Sequence, residues 1–215
     1  MIDYRKDWLL WLVIAALFVA AIIIYPHLPE QVPGHWNLEG EVDRYVSKEF
    51  GAFLGPVLAL AVYLLLVVTP RVDPKGGNFP KYGRAWHVFR WLMVLFFGVL
   101  SGVTWATALG YQIKIGKVVG SLVALLFIVL GNYLPKIQYK NYTFGIRTPW
   151  TLDNEEVWRK THRWTGKFLV TGGLVGLVAV LLNEKVGFFV LLAGILIPLL
   201  GSLVYSYLTY QRLKS

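Results

Sequence analysis

The sequence predicts an all-α membrane protein: a bundle of six transmembrane helices with an ordered polar outer loop and a cytosolic loop-helix segment. Three observations carry this. Mean hydropathy is +0.56, with 56% hydrophobic and only 15% charged residues. The charges fall in short clusters that leave six charge-free runs: Trp8 to Pro29, Phe50 to Pro70, Trp91 to Ile113, Val118 to Pro135, Phe168 to Asn183 and Val186 to Gln211. The cations are also distributed unevenly between alternate connections. Crossing about 30 Å of hydrocarbon takes roughly 17–25 mostly apolar residues, and five of the runs meet that directly. Phe168 to Asn183 is short and borrows Trp164 to Lys167, with the lysine reaching back to water along its aliphatic stem.

The first run follows Arg5 and Lys6, which raises the rival reading of a secretory signal. The apolar stretch continues through Ile22, Ile23, Ile24 and Tyr25, longer than a usual signal core, so an uncleaved first span is expected. Of 21 Lys and Arg residues, 16 fall at the N-terminus, in the second and fourth connections and at the C-terminus. The positive-inside rule therefore puts both termini in the cytoplasm and this protein in the cell membrane. The net charge of +9 reads as membrane topology, and no direct nucleic-acid contact is expected. The absence of cysteine excludes disulfides, thiolate metal sites and cysteine nucleophiles.

The first connection, His27 to Glu49, then faces outward. It is acidic, with Pro26, Pro29 and Pro33 blocking helix continuation and Gly34 and Gly40 supplying turns. His27, His35, Asn37 and Asp43 offer nitrogen and oxygen ligands suited to zinc, but their spacing matches no zinc pattern. A structural cap, with His and Asn bonding backbone groups, is the preferred reading, and His27, His35 and Asp43 stay the only metal candidates. No cofactor is expected.

No Asp, Glu, Lys or Arg lies mid-span, which argues against a pump or an ion-coupled transporter. His87 and Arg90, near the inner end of the third span, are expected to snorkel to the interface. Trp8, Trp11, Tyr25, Trp86, Trp91, Tyr111, Tyr205, Tyr207 and Tyr210 lie near span ends, as an aromatic belt would. The pairs Gly51/Gly55, Gly98/Gly102, Gly116/Gly120 and Gly172/Gly176 are expected to pack helices within the bundle. Pro198 is expected to kink the last span.

The segment from Gly131 to Phe168 is unusual in so apolar a chain, with seven Lys or Arg residues and three acids. Pro135 and Lys136 mark its exit to water, and Gly145 is a turn. Pro149 forces Thr148 to be extended. Asp153 is expected to N-cap a helix, with Glu156 as its box partner and Glu155/Arg159 and Glu156/Lys160 as i,i+4 pairs. That helix runs on into the fifth span. One reading is an amphipathic connector with its cations on anionic lipid. The other is a docking surface with Arg147 and Trp150 exposed.

The inner segment, "GNYLPKIQYKNYTFGIRTPWTLDNEEVWRKTHRWTGK", resembles the signature of SdpI-type immunity proteins. These are multipass bacterial membrane proteins that protect toxin producers from their own SDP killing peptide. Asn132, Asn141, Gly145, Ile146, Arg147, Thr148, Pro149, Trp150, Thr151, Leu152, Trp158, Thr161 and His162 match its pattern. "LPEQVPGHWNLEGEVDRY" resembles the domain of unknown function often joined to that family, matching at Pro33, His35, Trp36, Asn37, Gly40 and Asp43. The resemblance divides the chain into an N-terminal unit with two spans, 1–70, and an SdpI-like unit with four, 84–215. It implies a non-enzymatic protein with no catalytic residues. Its implied partners are membrane lipids, a toxic peptide outside and a cytosolic repressor or regulator inside. The competing class is a membrane enzyme or transporter acting on a lipid or cell-envelope precursor through His35, Asn37 and Asp43 or through Arg147 and His162.

Overall fold

The computed structural model describes residues 7–214, with only the backbone at Tyr82; Arg5 and Lys6 lie outside the described residues. Of the described residues 79% are helical, and the chain is an all-α multipass membrane protein. Its helices are α1 (Trp8–Ile24), α2 (Lys48–Val72), α3 (Gly83–Ala108), α4 (Ile115–Tyr133), α5 (Pro149–Asp153), α6 (Glu155–Leu182) and α7 (Glu184–Lys214). All but the single-turn α5 are long and apolar enough to cross a membrane. Two short strands, β1 (Gln31–Trp36) and β2 (Val42–Ser47), interrupt the helices. The chain forms two compact units. One contains α1, the strands and α2 as far as Leu66, together with Arg90–Val119. The other contains Val67–Phe89 and the chain from Gly120 onward.

In the hairpin unit, a 3-10 turn at Tyr25–His27 with Pro26 at its start ends α1. The expected polar loop is an antiparallel β-hairpin, with irregular register on either side of His35. Gly40 makes the expected turn at φ +81°, but Gly34 sits inside β1, not in a turn. A Cβ at Gly34 would lie 2.5 Å from Val46 Cγ1, so glycine is what lets the two strands close there. Val32 is fully buried in a small core with Ala21, Leu28, Ala52 and Trp105, which anchors the hairpin to α1, α2 and α3. A Cβ at Gly55 would overlap Ser101 Oγ, and one at Gly98 would press on Leu17, so these glycines set close helix packing.

Arg90 does not snorkel. It is 1% exposed, and its Nη2 donates to Asp7 Oδ1 at 2.9 Å. Tyr63 Oη donates to the other carboxylate oxygen at 3.2 Å. A guanidinium can stay buried when a carboxylate neutralises it, and removing one partner of such a pair costs far more than the pair contributes.

In the C-terminal unit, α6 and α7 run antiparallel with their backbones nearly touching. A Cβ on Gly172 would overlap the Gly194 carbonyl, and one on Gly194 would fall 2.9 Å from Gly172 Cα. The core here is Ala124, Leu134, Leu169, Val180, Leu191 and Ile195, with Phe144 and Ile146 packed against it. Trp86, expected in an interfacial belt, is 1% exposed. Its ring meets Phe79, Phe89 and Phe144 edge-on with centroids 4.8 to 6.2 Å away. Trp8, Trp11 and Tyr111 are exposed as expected of a belt. Pro198 is buried inside α7.

Candidate functional site

The segment between α4 and α6 is built from its own polar side chains and from residues far off in sequence. After a 3-10 turn at Leu134–Lys136, the Ile137 carbonyl accepts the Trp158 indole N–H at 2.7 Å. Asn141 is fully buried, and its Oδ1 accepts the backbone N–H groups of Thr143 (3.1 Å) and Phe144 (2.7 Å). Asp73, between α2 and α3, accepts the Tyr142 N–H (2.8 Å) and the Thr143 hydroxyl (2.5 Å). Asn78 Nδ2 donates to the Lys140 carbonyl at 2.8 Å, a second tie to the same connection.

Gly145 has φ +107°, and a Cβ there would overlap the His162 ring. Both reasons demand glycine. The ring is fully buried, and its Nε2 accepts the Ile146 N–H at 3.1 Å. An accepting Nε2 leaves the proton on Nδ1, which donates to the Trp158 carbonyl at 2.8 Å. His162 is therefore neutral, with both nitrogens committed to backbone groups and its face stacked on Trp158 at 4.1 Å.

Thr148 N-caps α5 in a reciprocal box with Thr151, and Pro149 occupies the first helical position. Thr151 Oγ1 accepts the Thr148 N–H at 2.9 Å and donates to the Ile146 carbonyl at 2.8 Å. Thr148 Oγ1 accepts the Thr151 N–H and donates to Ser206 Oγ, both at 3.1 Å, tying the loop to α7. Asn154, not Asp153, caps α6, its Oδ1 accepting the N–H groups of Glu156 (2.8 Å) and Val157 (3.2 Å). Asp153 ends α5 instead, where its carboxylate accepts the Tyr210 hydroxyl at 2.5 Å. The i,i+4 pairs Glu155/Arg159 and Glu156/Lys160 are both present.

Buried Asn141, Thr148, Trp158 and His162 thus hold a backbone shape, and a few neighbours face out from it. Arg147 is exposed, with Nη1 donating to the Tyr142 carbonyl at 2.5 Å. Tyr142 and Pro149 are exposed beside it in sequence. Trp150, expected to be exposed, is half-buried, because the single turn of α5 sets it edge-on against Tyr207 at 5.1 Å. Asn132 lies apart from these residues, on a cleft that none of them lines. Asp73, Asn154, Ser206 and Tyr210 were not legible as members of the site. Of these only Asn154, an Asn before a Glu-rich helix start, carried a local signal.

The hairpin residues form a simpler site. His35 Nδ1 donates to Asp43 Oδ1 across the strands at 2.6 Å, with side chains 59% and 43% exposed. Asn37 Oδ1 accepts the N–H groups of Glu39 (3.0 Å) and Glu41 (2.9 Å) and so shapes the turn that Gly40 completes. Trp36 is half-buried opposite Val42. His27 is exposed in the turn after α1. Among the described residues no three His, Asp or Glu side chains gather where they could hold a metal, so His27 does not join His35 and Asp43.

Residues 139–206 match the SdpI/YfhL protein family. The chain is also 27% identical to Immunity protein SdpI of Bacillus subtilis (strain 168), over 98% of each chain. The chain is thus similar to the SdpI/YfhL family in residues 139–206, and to an SdpI protein through nearly its whole length. The family match contains the whole set from Asn141 to His162 and ends at Ser206, the α7 partner of Thr148. Residues 12–60, which include the hairpin, match a domain of unknown function, DUF1648. The uncharacterized membrane protein YbgB of Bacillus subtilis is 33% identical over 81 residues, 31% of this chain and 89% of its own. An uncharacterized protein of Archaeoglobus fulgidus is 36% identical over 69 residues, 32% of this chain and 38% of its own. No solved structure matches.

Proposed function

We propose that this chain is a membrane immunity protein that protects the cell making it from a membrane-active toxic peptide. The observation that carries the reading is 27% identity to Immunity protein SdpI running through 98% of both chains, hairpin and signature segment alike. In this reading both termini are cytoplasmic and the hairpin faces outward, which the uneven distribution of cations supports. The test is expression in a toxin-sensitive bacterium that lacks its own immunity protein, followed by challenge with the SDP peptide. Survival should rise to a peptide concentration comparable to that tolerated with the Bacillus subtilis protein. No protection, at an equal level of protein in the membrane, sinks the proposal. Cysteines introduced at Glu39 and Asn154 should label from opposite faces of the membrane; labelling from one face refutes the topology.

The segment that carries Arg147 serves, in the same reading, as a docking surface for a cytosolic regulator. Its support is the arrangement of buried Asn141, Thr148 and His162 under exposed Tyr142, Arg147 and Pro149. A planar guanidinium can grip a carboxylate through two parallel bonds. The competing class, an enzyme or transporter, would draw on His162 as a base or on His35 with Asp43. His162 has both nitrogens engaged by backbone groups, and the His35–Asp43 pair lies exposed on a hairpin.

A further inference from the structure

Two adjoining clefts in the C-terminal unit, of about 570 and 530 Å³, share Lys81 and Lys136 as walls. Arg163 and Lys167 complete the first and Arg84 the second. No carboxylate lines either cleft, and none of these five cations pairs with a carboxylate among the described residues. Nearby on the same helix, Arg159 and Lys160 each have a glutamate. Arg163 and Lys167 stand one turn apart on α6, an i,i+4 like-charge pair that destabilises a helix unless an anion lies between or beside them. Lys81 and Lys136 are held over aromatic rings, with Nζ 4.2 Å from the Tyr139 centroid and 3.9 Å from that of Tyr133. Asn132 adds a neutral amide to the wall.

We infer that these clefts bind the phosphate headgroup of an anionic phospholipid. The position selects a lipid over a free anion. The clefts sit where the α3 span begins at Gly83 and the α4 span ends at Lys136, the depth at which headgroups meet hydrocarbon. Immediately after Lys167, Phe168 is 48% exposed, and Leu174, Val175 and Val178 continue α6 with an exposed apolar surface. A cationic wall leading into such a surface matches a molecule with a phosphate at one end and acyl chains at the other. The inference does not depend on the immunity reading, because it concerns a ligand of the membrane itself.

The test uses the full-length protein, purified in detergent and stripped of lipid. Dioleoylphosphatidylglycerol or dioleoylphosphatidylcholine is added, and retained lipid is counted by native mass spectrometry alongside a thermal-shift assay. Phosphatidylglycerol should be retained and should raise the melting temperature, and phosphatidylcholine should do neither. Each cation removed should weaken retention about fivefold, so Arg163→Gln with Lys136→Gln should weaken it about 25-fold. Arg159→Gln with Lys160→Gln, which removes the same charge from paired positions, should leave it unchanged. Equal retention of both lipids, or equal loss in the control, overturns the site. If inorganic phosphate displaces phosphatidylglycerol and gives the same stabilisation, the ligand is a free anion and the lipid assignment is wrong. Should the double variant fail to fold, the singles Lys81→Gln and Lys136→Gln are measured against the same control.

Discussion

The hairpin at 31–47 and the segment at 137–154 both carry signature residues, yet they use them in opposite ways. In the hairpin the polar side chains serve neighbours: Asn37 its own turn, and His35 a carboxylate eight residues on. Both ends of that ion pair are open to solvent. In the later segment Asn141, Thr148 and Thr151 are buried, Thr148 reaches across the chain to Ser206, and buried Asp73 reaches in from outside the segment to Thr143. A dense motif therefore does not by itself mark a contact surface. In one region the charged motif pair His35 and Asp43 lies open to solvent, and in the other most motif residues hold up the few that are exposed.

Substitutions measure that difference. Trp158→Ala should have the largest effect, costing about 3–5 kcal/mol through the cavity it leaves and the orphaned Ile137 carbonyl. The readout is the melting temperature in detergent, falling by on the order of 10 °C. A shift as small as that of a hairpin variant would break the comparison.

A matched pair of glycines comes next. Gly40 and Gly145 both have positive φ, so alanine at either should cost about 1–2 kcal/mol in backbone strain. The space around Gly40 is open, whereas a Cβ at Gly145 meets His162. Gly145→Ala should therefore cost about 1–3 kcal/mol more than Gly40→Ala. Equal melting temperatures for the two variants would mean that the His162 ring does not hold the position described.

Thr148→Val should cost about 1–2 kcal/mol, since it removes the cap of α5 and the link to Ser206. His35→Ala should cost less than about 1 kcal/mol, as exposed pairs usually do, with or without a chelator. A chelator-dependent loss would give the hairpin a metal role. The smallest structural effect is expected of Arg147→Lys, which keeps the charge and should leave the melting temperature unchanged. If the segment docks a regulator, this variant loses recruitment all the same, because lysine lacks the planar fork.

The spans were legible because hydropathy and charge placement are local properties, and each expected run became a helix. The hairpin was not, because Pro33 and Gly34 inside β1 are ordinary strand breakers. Only the close approach of Gly34 to Val46 explains why they are tolerated. The cap of α6 was misplaced by one residue. Asp153 and Asn154 are equally good caps, and the choice turns on Tyr210, 57 residues away. Arg90 read as a snorkelling cation for the same reason, its partner Asp7 being 83 positions earlier. In the signature segment the residues themselves were visible, but which of them face inward depends on Asp73, Ser206 and Ile137. No spacing rule reaches that far.

The Asp7–Arg90 pair also has a consequence in time. Asp7 leaves the ribosome before the first span, and 83 more residues must follow before its guanidinium partner exists. At about 5–20 residues per second, that interval is about 4–17 s. The first two spans are already made before that guanidinium exists. Formation of the Asp7–Arg90 pair is thus a late event in biogenesis, triggered by arrival of the third span, and a chain truncated before Arg90 keeps the Tyr63 hydroxyl beside Asp7 but lacks the guanidinium that faces it.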